Sequence, residues 1–129
     1  VSDASPFSYA IYRLVPRVER GERVNVGVVV YCKAKRYVAA RTALDERRLA
    51  ALWPDLDPAP LRPYLEAIER IAAGDPTAGP IATLDEGERF RWLASPSSTV
   101  IQPSAVHTGM SADPAAELQK LFKQMVTTP

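Results

Sequence analysis

Metal and disulfide chemistry have almost nothing to work with in this chain, which carries one cysteine, Cys32, and one histidine, His107. One of each excludes the usual zinc ligand sets, and the paired acids Asp55 and Asp57 sit among prolines without further ligand spacing. No metal is expected. A lone thiol forms no internal disulfide, and no leader pattern opens the chain, so a reducing compartment and a cytoplasmic location are expected. No apolar run approaches membrane-spanning length. The six glycines are too dispersed for a dinucleotide fingerprint, and there is no phosphate-cradling GxxxxGK[ST] loop, so no cofactor is expected either.

What is present is the composition of a globular domain: 129 residues, 47% hydrophobic and 24% charged. That length is enough for one apolar core, and the expectation is a single domain over residues 1–129. Net charge is only +1, but it is unevenly placed. Residues 1–48 carry ten Lys/Arg against five acids, and residues 49–129 carry six against ten. Such a split permits an anion-facing side and equally lets the two halves attract each other.

Hydrophobic periodicity outlines an α+β fold in which an antiparallel sheet, starting as a β-meander of three or more strands, is covered by three to four helices. Strands are predicted over about residues 7–16, 23–32 and 36–43, joined by connections too short for a parallel crossover. Helices are predicted over about residues 45–53, 60–73, 84–93 and 113–126. Asp45 and Asp113 read as N-caps, with Pro114 at the first helical position. Thr83 and Glu86 have capping-box spacing ahead of the third helix. Gly74 followed by Asp75-Pro76 marks a stop after the second. Between the third and fourth helices, "SPSSTVIQPSAVHTGMS" reads as a long ordered loop or a brief edge strand.

The chemistry concentrates around "RVERGERVNVGVVVYC", residues 17–32. Gly21 suits a tight turn. Strict alternation then places Val24, Val26, Val28, Val30 and Cys32 on one face, and Asn25, Gly27, Val29 and Tyr31 on the other. A carboxamide among valines must find hydrogen bonds if buried, and Gly27 on its face leaves room beside it. Arg13 shares a face of the first strand with Tyr9, Ile11 and Val15, where it needs either a carboxylate such as Glu22 or an anion. The candidate ligand-binding set is therefore Arg13, Glu22, Asn25, Gly27 and Arg41 from the strands, with Ser98, Gln102 and His107 from the long loop. Each has a structural reading beside it: an ion pair for Arg13, a turn hydrogen bond for Asn25, close helix packing at Gly27.

Other constellations are thinner. A Cys32/His107 dyad is conceivable on residue type, yet Cys32 ends the valine face as a small hydrophobe would. Ser97, Ser98, Thr99 and His107 share a loop, but a triad also needs an orienting acid and an oxyanion hole. Tyrosines 9, 12, 31 and 37 in the basic half are compatible with base stacking.

The runs "YAIYRLVPRVERGERVNVGVVVYC", "FRWLASPSSTVIQPSAVHTG" and "DPAAELQKLFKQMV" resemble a bacterial family known as domain of unknown function 3037, from about Tyr9 to Val126. The resemblance implies a partner more than a reaction, since members are sometimes encoded beside kinases similar to the toxin-type serine/threonine kinases of persistence systems. It carries no catalytic residues onto this chain. The expected function is a non-catalytic interaction or regulatory module for another protein. The alternatives are an anion- or nucleotide-binding protein or enzyme built on the Arg/Asn pair, and nucleic-acid binding through the basic half. Oligomeric state is left open.

Overall fold

The computed structural model describes residues 3–97 and 99–127. Three consecutive strands, β1 (Ser5–Leu14), β2 (Val24–Cys32) and β3 (Tyr37–Thr42), form the expected antiparallel meander. Gly21 makes the first turn with φ +73°, a left-handed conformation that its charged neighbours would resist. Helices α1 (Glu46–Leu52), α2 (Leu61–Ala72), α3 (Glu86–Leu93) and α4 (Pro114–Met125) follow in order. Between α3 and α4 lie two short strands, β4 (Ile101–Pro103) and β5 (His107–Ser111). The result is an α+β fold with a five-stranded antiparallel sheet of order β3-β2-β1-β4. β5 joins the same edge of β1, so β4 and β5 act as one interrupted edge strand. Buried Ser104 bridges the gap: its hydroxyl accepts from the Ile11 N–H and its own N–H donates to the Ile11 carbonyl.

The caps explain the helix boundaries. Asp45, Asp85 and Asp113 each accept a hydrogen bond from the backbone N–H three residues on, at Arg48, Glu88 and Ala116. The expected Thr83–Glu86 capping box is corrected here: the Thr83 hydroxyl donates to the Pro80 carbonyl, and the helix starts two residues later than the spacing predicts. On α1, Leu49 is buried while Leu52 is exposed.

Each sheet face has its own core. Ala10, Tyr12, Leu14, Val26 and Val29 point to one face, where α2 and α3 close over them with Leu65, Ile68, Phe90 and Leu93. Phe7, Ile11, Val28, Val30 and Cys32 point to the other and pack against Leu118, Leu121, Phe122 and Val126 around α4. Among the described residues no helix is long and apolar enough to cross a membrane.

Strict alternation along β2 fails at one place, and the failure places the site. Tyr12 pairs with Gly27 but Arg13 pairs with Asn25, so Val26 is an extra residue in β2. A bulge of this kind puts two successive residues on one face and inverts the alternation beyond it. Val26 therefore joins Val29 rather than Val28 and Val30. The expected grouping of Asn25 with Gly27 is overturned for the same reason. Gly27 faces the α2 and α3 side, where an added Cβ would stand 2.9 Å from Thr42 Cγ2 and 3.1 Å from the Arg41 carbonyl oxygen. Asn25 faces α4.

Candidate functional site

The bulge sets up a row of polar side chains across three strands. Arg13 on β1 is the direct partner of Asn25 on β2 and of Gln102 on β4, so all three project from the α4 face. The two carboxamide nitrogens are already bound to main chain: Asn25 Nδ2 donates to the Met125 carbonyl at 2.9 Å and Gln102 Nε2 to the Thr99 carbonyl at 2.7 Å. Asn25 thus clamps the C-terminal end of α4 to the bulge, which satisfies a carbonyl that the helix itself leaves open. Arg13 is different. It is half-buried and forms no hydrogen bond or ion pair with another described residue. Burial lowers its pKa, and the charge of Arg23 pushes in the same direction. Arg23 thus stands near enough for its charge to act on Arg13, and among the described residues neither is in an ion pair with a carboxylate.

The remaining sequence candidates disperse. Glu22, offered as the partner of Arg13, pairs instead with Arg20 in the exposed turn. Arg20 and Glu22 line a cleft of about 400 Å³ with Arg17, Trp53 and Asp55. Arg41 lies one strand from the row, but its guanidinium bonds Gln119 Oε1 and sits 4.3 Å from the centroid of the Phe122 ring, holding β3 to α4. His107 is exposed on β5, its ring stacked on Tyr9 at 5.3 Å between centroids. Ser98 lies outside the described residues. Asn25 borders a small cleft of about 240 Å³ with Asp45, Arg48 and Val126, and neither Arg13, Gln102 nor His107 lines it. What the row forms is a surface.

The nucleophile constellations come apart as well. Cys32 is fully buried and its thiol donates to the Pro6 carbonyl, away from His107. Ser97 and Thr99 hydroxyls bond each other at 2.8 Å, and the Thr99 hydroxyl donates to the Ile101 carbonyl. Among the described residues no three His, Cys, Asp or Glu side chains gather as a metal would need.

A second feature was not legible in the sequence. Between α2, the C-terminal end of α3 and β4 lies a cleft of about 360 Å³. Its floor is Tyr12, Ile68 and Leu93, all less than a tenth exposed, and its rim carries Tyr64 at 50% and Trp92 at 49% exposure. Among the described residues, no charged side chain lines it. The Tyr12 hydroxyl is locked to the Leu93 carbonyl at 2.9 Å, and burial, with Tyr64 next, pushes its pKa far up, so it stays a donor. The available signals were small. Tyr64 beside Leu65 widens the apolar stripe of α2 beyond what the sheet needs, and Trp92 falls off the i, i+3 stripe that Phe90 and Leu93 define.

No curated protein and no solved structure matches the chain. A family model, described as "Protein of unknown function (DUF3037)", matches residues 9–126. Those residues run from the middle of β1 past the end of α4 and cover nearly the whole chain, so the chain belongs to that family.

Proposed function

We propose that the chain is a non-catalytic interaction module that binds an apolar segment of another protein in the cleft between α2, α3 and β4. The observation that carries this reading is the pair of half-exposed aromatics, Tyr64 and Trp92, on the rim of an uncharged floor. Tyrosine and tryptophan are the side chains that most often dominate protein interfaces, and interface centres are depleted of charge. A charged metabolite finds no opposite charge among the described residues that line the cleft. Because the aromatics stand on the rim, an occupant that covers them must extend over the lips, as a helix or extended segment of a protein does.

A kinase-like protein of the kind sometimes encoded beside members of the family is the first partner to test, following the family resemblance. Co-purification from the native host with identification of the partner, followed by titration calorimetry on the purified pair, provides the measurement. Trp92→Ala and Tyr64→Ala are each expected to weaken binding by about tenfold or more, about 1.4 kcal/mol or above, while thermal unfolding stays near that of the parent. Recovery of the chain alone in repeated trials, or binding indifferent to both substitutions, overturns the reading.

A further inference from the structure

We propose that the sheet strip beside α4, running from Tyr9 and His107 to Arg13 and Arg23, binds single-stranded nucleic acid. This surface lies on the opposite side of the sheet from the aromatic cleft and stands independently of it.

The strip offers two things a flexible polyanion uses. At one end the Tyr9 and His107 rings stack at 29° and 5.3 Å, with His107 exposed on an edge strand. At the other end are Arg13 and Arg23, neither paired with a carboxylate among the described residues, although the neighbouring Arg20 is paired. Tyr9 and Arg13 stand four positions apart along β1, a span of about 13 Å. A base face on the rings and phosphates on the guanidiniums fit that layout, because stacking is tolerant of base identity and arginine neutralises the backbone. Gln102 lies between β1 and solvent on the same row, with its nitrogen already committed and its oxygen left to accept from a base amino group. α4 packs over β2 and β3 rather than over β4 and β5, so the edge half of this face is not roofed by a helix. A duplex is a poorer fit, since its bases are already stacked within the helix and cannot reach the rings.

Fluorescence anisotropy with a short labelled oligothymidylate, the same strand in duplex, and inorganic pyrophosphate as competitor tests the proposal. The single strand is expected to bind more tightly than the duplex, with affinity falling as salt rises. The double substitution R13Q/R23Q is expected to flatten the log–log salt slope by roughly 1.4, the loss of two phosphate contacts. His107→Ala, at an exposed edge position, is expected to weaken binding by about tenfold without changing that slope. Trp92→Ala, on the other surface, should change neither. Absence of binding at low salt overturns the proposal, as does equal affinity for the duplex. Pyrophosphate displacing the strand at equal concentration, with His107→Ala silent, would reduce the strip to a bare anion site and overturn it too.

Discussion

The two faces of one sheet are finished differently. On the first, α2 and α3 seal Tyr12, Leu14, Val26 and Val29 into a continuous apolar cluster, and the Tyr12 hydroxyl is tied to the Leu93 carbonyl. On the second, α4 alone lies over β2 and β3, fastened by Arg41 at one side and by Asn25 at its end, while the β1 edge keeps a guanidinium unpaired among the described residues and an exposed imidazole. The sealed face supplies stability and, at its outer margin, an apolar cleft. The half-roofed face carries charge. On the two readings proposed above, one sheet would separate two kinds of recognition chemistry by putting them on opposite sides of a backbone layer.

Adjacent residues of β1 test that contrast most sharply. Leu14→Ala removes a fully buried side chain from the sealed face and is expected to cost about 2–5 kcal/mol in urea unfolding. Arg13→Ala, one residue away but pointing to the other face, is expected to stay within about 0.5 kcal/mol of the parent. If Arg13→Ala cost as much as Leu14→Ala, the guanidinium would be structural and the two faces alike.

Gly27→Ala probes the joint between the faces. An added Cβ meets backbone at the Arg41 carbonyl as well as the Thr42 methyl, so β3 must shift, and a loss of about 1–3 kcal/mol is expected. A neutral outcome would show that β3 adjusts freely and that the bulge does not fix the packing. The smallest effect concerns the rim of the sealed face, after α2. Asp75 accepts from the Thr77 hydroxyl and N–H and from Arg70, in that order of influence, and its pKa is lowered to about 2. A depressed carboxylate stabilises the fold above its ordinary value and loses that contribution as pH falls toward about 2. The gap in unfolding midpoint between the parent and Asp75→Asn should therefore close on acidification from about pH 5 to about pH 2. A gap that stays constant would mean the charge of Asp75 does nothing for the α2 exit.

Most of the framework was legible. The meander, the aspartate caps at Asp45 and Asp113, the turn glycine and the apolar stripe of α4 follow from local rules that need only neighbours in sequence. β4 and β5 were less clear because a serine- and proline-rich edge strand gains its order from pairing with β1, not from its own propensity. The candidate site was legible only in part. Arg13, Asn25 and Gln102 do meet in one row, but through a bulge that strict alternation does not anticipate, and Asn25 was put on the face of Gly27 and Val29 for that reason. The cleft at Tyr64 and Trp92 depends on how α2 and α3 lie against β4, which no local pattern encodes.

By itself the sequence determined the α+β class, the order of its elements and the family, because periodicity, capping and turn chemistry act over a few residues and the family signature spans the chain. Only the tertiary structure decided which side chains share a surface. One extra residue in β2 inverts the facing of every position on one side of it relative to the other, and that inversion is set by pairing with β1 across the sheet.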